Sequence, residues 1–350
     1  MSRSRPIRDI IRRPVADSES LESSSLVVGA LVFVAAAVIA AIVFWGQTLP
    51  IAGPGSLGQF VALGAAVVAF VAVIGARVLM ERSGQALDAS GVRLHWWDVL
   101  AIALAHAIVW LLGWLGMATL LERSFQGAVV FALSATVLAA VALALTAYVT
   151  FISAVSLTPM TLSLVLAVFL VVDAMASMLS ASDPLWWKKN LSSLGMTDDV
   201  SALAFNLTLI IAGVLLTTIA HYATATLPTG TPVERKGRRR LQTALTVVGV
   251  FLACVGIFPV DEYFTIHNVV ASGMAVIFVV TVIALRVWVP SIPRIFLILG
   301  YVYVGVIVVL AIFFVTGYYN LTAVELVAGV LIFSWVIVFL RTMGALRPSR

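Results

Sequence analysis

Charge is what this chain most lacks. Asp, Glu, Lys and Arg together make up 11% of its 350 residues, against roughly 25% in a soluble globular domain. So few charges do not cover a water-facing surface of this size. Cysteine is nearly absent too. Cys254 stands alone inside an apolar block, which excludes an intrachain disulfide and any multi-cysteine metal site. Phosphate-binding loops, dinucleotide fingerprints, His-Glu-x-x-His pairs and nucleophile elbows are also missing, so neither a cofactor nor a metal is expected. Beyond the amino-terminal tail, the longest polar stretch is about 17 residues, too short to bury a soluble core.

What the chain does have is apolar length. It is 62% hydrophobic, with mean hydropathy +1.12, and its apolar residues come in blocks rather than in amphipathic alternation. A membrane-spanning helix needs about 20 such residues. Runs of this kind predict ten helices, at 26–46, 58–80, 97–121, 127–150, 157–180, 200–223, 241–259, 267–288, 292–316 and 321–341. The expected fold is an all-α integral membrane protein. It divides into a polar tail (1–25), a four-helix membrane extension (26–156), a six-helix core (157–341) and a short tail (342–350). The first run follows a long tail and is long enough to span, so it reads as a retained helix, not a cleaved signal.

Cationic side chains in alternate loops set orientation. With the amino terminus inside, five lie in the tail and three between helices two and three (Arg77, Arg82, Arg93). Five follow helix six (Arg235, Lys236, Arg238, Arg239, Arg240), two join helices eight and nine (Arg286, Arg294), and three end the chain (Arg341, Arg347, Arg350). Only Arg123, Lys188 and Lys189 fall outside. Both termini are therefore expected in the cytoplasm, with the protein in the plasma membrane of a bacterial cell. The net charge of +5 does not point to nucleic acid, because its cations sit at helix ends, where they set topology and meet anionic lipid.

The two longer outer loops carry the candidate site. After helix five the chain reads Asp183-Pro-Leu-Trp186-Trp187-Lys188-Lys189-Asn190-Leu-Ser192-Ser193 and on to Asp198-Asp199. After helix seven it reads Phe258-Pro259-Val260-Asp261-Glu262-Tyr263, with His267 opening the next helix. Trp prefers the headgroup level and Lys snorkels to it. Trp186, Trp187, Lys188 and Lys189 therefore serve as an interfacial anchor or as a binder of anionic lipid or glycan. Histidine titrates near neutrality, and a nearby carboxylate orients it, so His267 with Asp261 is the candidate acid–base pair, and Ser192 and Ser193 are available hydroxyls. Asn190-Leu-Ser192 and Asn320-Leu-Thr322 match a glycosylation sequon, which means little in a bacterium. Asp173 and Asn206 fall at similar depth within helices five and six. They form either a polar pocket or interhelical hydrogen bonds. His106 and His221 read as packing histidines. Glu325, near the outer end of helix ten, either joins the outer pocket or lies at the water boundary.

The segment Asn190-Leu-Ser-Ser-Leu-Gly195, then Phe205-Asn206, Gly213, Gly256-Ile-Phe-Pro259, His267 and Ala271 resembles the bacterial membrane family catalogued as domain of unknown function 998. The resemblance covers roughly residues 157–341. It implies a six-helix unit remotely related to eukaryotic families that remodel or regulate lipids, and it names no reaction. Ser193 stands where that family more usually has an acidic residue.

Three functions are compatible with these residues. The first is a non-enzymatic protein of envelope or lipid homeostasis. It binds a lipid or glycolipid headgroup at the outer leaflet through Trp186, Trp187, Lys188, Lys189, Asn190, Ser193, Asp261 and His267. The second is an intramembrane lipid-modifying enzyme, using His267 and Asp261 for acyl or headgroup transfer or hydrolysis. The third is a transporter with Asp173 as its proton or cation site. The headgroup binder asks least of the sequence and ranks first. Its partners are membrane lipids.

Overall fold

The computed structural model describes residues 18–82, 95–196, 200–225 and 227–345. The tail arginines before Ser18, together with Arg93, Asp198, Asp199, Arg347 and Arg350, lie outside these residues. The ten expected helices are present: α1 (Ser18–Val43), α2 (Leu57–Arg82), α3 (Trp96–Ser124), α4 (Ala132–Val155), α5 (Pro159–Ser180), α6 (Val200–Ala225), α7 (Pro232–Ile257), α8 (Phe264–Trp288), α9 (Arg294–Val315) and α10 (Leu321–Ala345). Each is long and apolar enough to cross a membrane, and the chain is a multi-pass, all-α membrane protein. On α9 only 11% of the most apolar window is buried.

Three boundaries differ from expectation. α1 begins at Ser18 and so takes in part of the polar tail. α7 begins nine residues before its apolar run, because Thr231 and Glu234 close a reciprocal capping box ahead of Pro232 and Lys and Arg are good helix formers. α4 starts at Ala132 and not at 127. Residues Val129–Phe131 (β2) instead pair antiparallel with Thr48–Pro50 (β1) in a three-residue ladder.

The chain divides into two compact units, residues 1–157 and 158–350. In the first, α4 packs against α1 and α2, and α2 against α3. A polar ladder ties α3 to α4. His106, Trp110 and Trp114 recur at four-residue spacing on one helix face and meet Ser153 (3.0 Å), Thr150 (2.8 Å) and Thr146 (3.2 Å). His106 is thus a packing histidine.

The second unit is a ring of six helices. Each packs on the next in chain order, and α10 closes back onto α5. The most extensive contact joins α6 to α7. There Gly213 and Gly249 bring the two backbones together, and a Cβ on either would strike the carbonyl oxygen of the other. This is how helices pack in lipid, where apolar burial supplies no drive and close van der Waals contact must. Across the ring, Trp335 of α10 is fully buried. It stacks on Phe339 at 5.5 Å and meets Phe278 of α8 and Phe296 of α9 at 5.5 and 5.2 Å.

Candidate functional site

Between α5 and α6 the chain makes two short 3-10 turns, Trp186–Lys188 and Leu191–Gly195, which pack against α6 and α10. A loop of this composition has no lattice of its own to satisfy its backbone groups, so side chains must do so. Glu325 of α10 accepts from the Leu191 N–H at 2.6 Å. Asn320 donates to the Trp187 carbonyl at 2.9 Å while its own oxygen caps α10 at Ala323. Asn206 of α6 donates to the Gly195 carbonyl at 3.1 Å. The Ser193 hydroxyl lies 2.7 Å from the Asn190 carbonyl and 3.1 Å from that of Trp186, closing one turn on the other.

His267, at the start of α8, is buried and fixes a further point. A carbonyl only accepts, so the 2.7 Å contact with Phe258 O makes Nδ1 the protonated nitrogen. Nε2 is then the acceptor for the Ser192 hydroxyl, at 2.9 Å. With both ring nitrogens engaged, no position remains on the imidazole for Asp261, which is exposed in the α7–α8 loop along with Glu262. The side chain that His267 meets is Ser192. The same arrangement recurs in the first unit, where His106 uses Nδ1 on the Ile102 carbonyl (2.8 Å) and Nε2 on Ser153. The serine–histidine–carbonyl arrangement therefore occurs in both units.

The α5–α6 loop also holds itself. Asp183 accepts from the Leu185 N–H at 2.9 Å and pairs with the Lys189 ammonium at 3.0 Å. The backbone N–H first, and Lys189 second, hold its carboxyl below the usual range. Trp186 is half-buried, while Trp187 and Lys188 are exposed. The Lys188 ammonium sits 5.6 Å from the Trp187 ring centre, within cation–π range. No carboxylate among the described residues pairs with Lys188. The Asn190 side-chain oxygen is buried and unpartnered.

Asp173 lies seven residues, about 10 Å, from the loop end of α5. It is fully buried, and neither carboxylate oxygen has a hydrogen-bond partner. Thr208 stands beside it, with its hydroxyl 2.7 Å from the Ala204 carbonyl. Asn206 turns to the loop. His221 takes a 3.0 Å hydrogen bond from Gln242 across the α6–α7 contact.

Sequence reasoning placed the loop and missed its fastenings. Asn320 precedes an apolar run, which is a helix-start signal, and it caps α10 at Ala323. The Ser192–His267 pairing spans 75 residues and leaves no local trace.

No curated protein and no solved structure matches the chain. A family model described as "Protein of unknown function (DUF998)" matches residues 163–342, half of the chain. The stretch takes in the pinned loop, Asp173, His267, the glycine contact of α6 and α7, and all but the ends of the six-helix ring. The chain belongs to this family.

Proposed function

We propose that the second unit recognises an anionic lipid or glycolipid headgroup at the outer leaflet of the plasma membrane, through Lys188 and Trp187 on the α5–α6 loop. One observation carries this reading: Glu325, Asn320, Asn206 and Ser193 pin the loop backbone, while Trp187 and Lys188 are left exposed. A pre-ordered site loses little entropy on binding. An indole with an ammonium over it suits the headgroup level, where one side is apolar and the other wet and anionic. The orientation rests on the cation count, which puts both termini in the cytoplasm. In a Cys254→Ser background, a cysteine at position 188 should react with an impermeant maleimide in intact cells, and one at position 235 only after permeabilisation.

The binding reading is tested in nanodiscs of phosphatidylcholine carrying increasing phosphatidylglycerol. The Trp187 component of fluorescence, taken as the difference from Trp187→Phe, should shift with the anionic fraction. Lys188→Gln should abolish the shift. A shift that Lys188→Gln leaves intact would sink this assignment.

A second reading draws support from the Ser192–His267 contact, a nucleophile and base in hydrogen-bond reach with the tautomer set by a third group. Ser192 Oγ would attack an ester carbonyl carbon as its proton passes to Nε2. The ester C–O bond then breaks, and the leaving alcohol takes that proton. The recurrence of this relay at Ser153 and His106 ranks it second. A fluorophosphonate probe on the full chain decides: a phosphonylated Ser192 peptide that disappears in His267→Gln favours chemistry. An unmodified Ser192 in folded wild-type protein removes this reading.

A further inference from the structure

The far end of α7 offers a different feature. Lys236, Arg239 and Arg240 stand at the mouth of a groove of about 520 Å³ between α7 and α8. Its floor continues along Thr243 and Val247 of α7 and Ile277 of α8. The α7 positions follow helical spacing and so lie on one face. From Arg240 to Val247 is seven residues, about 10 Å, most of the depth of one leaflet of a hydrocarbon core about 30 Å thick. The helices cannot close the groove by sliding at this end, because α7 already touches the α8 backbone at Gly237, where a Cβ would strike the Trp288 carbonyl.

The three cations have no carboxylate partner among the described residues. The nearest acid in sequence, Glu234, is committed to the capping box with Thr231. Cations that only set topology need no groove, and an apolar groove that only packs needs no cations. Here the two are continuous: charge at the water boundary, then an apolar channel running into the leaflet. Clustered Lys and Arg beside a spanning helix attract anionic lipid by about 1 kcal/mol each.

We infer that this groove is a binding site for one anionic diacyl phospholipid, with its phosphate on Lys236, Arg239 and Arg240 and an acyl chain laid along Val247 and Ile277. The site lies at the opposite end of α7 from the loop of the proposed function, and neither proposal depends on the other.

Native mass spectrometry of the full chain tests it, with phosphatidylglycerol and phosphatidylcholine titrated separately. Every form carries Trp187→Ala/Lys188→Gln, which removes the loop site. With the groove intact, this reference form should retain one phosphatidylglycerol with a preference of roughly tenfold or more over phosphatidylcholine. Adding Lys236→Gln/Arg239→Gln/Arg240→Gln should lose the preference. Adding Val247→Trp, which keeps the groove charges and fills the floor, should lose the retained lipid, whereas glycerol phosphate lacking acyl chains should not be retained by any form. Equal retention of the two lipids by the reference form would overturn the inference. So would undiminished phosphatidylglycerol binding with Val247→Trp, which would reduce the cations to a surface patch without a groove. These results leave the Lys188 reading untouched, since the loop site is absent from every form.

Discussion

Glu325 and Lys188 sit at the same end of the ring and play opposite parts. The Glu325 carboxylate is committed to the Leu191 N–H at 2.6 Å, and removing it strands a part-buried donor at a cost of about 1–3 kcal/mol. Glu325→Leu should therefore speed hydrogen exchange over residues 186–195 and weaken headgroup binding with it. Lys188→Gln touches an exposed side chain, so stability should change by no more than about 0.5 kcal/mol and exchange should not change, while binding falls. Asp183 adds a pH dependence. Its folded carboxyl is held below the ordinary range, so its contribution is complete above the unfolded value of about 4 and is lost as pH falls through the folded value. The Trp187 emission component should stay constant down to about pH 4 and change below it. Asp183→Asn should flatten that response. Asp173 contributes differently: a buried carboxyl without a partner costs stability, so Asp173→Val should raise it by about 1–3 kcal/mol, read as a higher midpoint of thermal unfolding. A lowered midpoint would mean that Asp173 has a partner in the membrane.

At the scale of elements, the α6–α7 contact is the most extensive in the ring and rests in part on residues that have no side chain. Gly213→Ala puts a methyl group against the Gly249 carbonyl and Ala253, where only backbone movement relieves it. Overpacking of this kind costs about 1–3 kcal/mol, and Gly213→Ala should lower the unfolding midpoint, whereas Gly305→Ala, with open space around its Cβ position, should not. The helices were legible because each is an apolar run of spanning length, a signal that lipid imposes on every segment alike. Their ends were less legible. An apolar run marks where lipid begins and not where hydrogen bonding stops, so α7 extends through Arg235–Arg240 into its capping box. The β1–β2 ladder is three residues long, too short for alternation to show.

Across the whole molecule, the α5–α6 loop stood out in sequence as the place where aromatic, basic and amide groups gather. What it does with them was not readable, because its fastenings come from α6, α8 and α10, and no spacing rule links Leu191 to Glu325 or Ser192 to His267. The same limit turned Asp261 into a partner for His267 by proximity in the chain, when the ring nitrogens belong to Ser192 and Phe258. The central claim is that the pinned loop holds a headgroup by Lys188 and Trp187. A census of lipids that co-purify with the full chain in native-like membrane particles tests it most directly. Lys236→Gln/Arg239→Gln/Arg240→Gln is compared with and without Trp187→Ala/Lys188→Gln. The account predicts a lipid class enriched over the bulk membrane in the form lacking the groove cations, and lost when Trp187→Ala/Lys188→Gln is added to that form. The same enriched lipids with and without the loop pair in that background would contradict it.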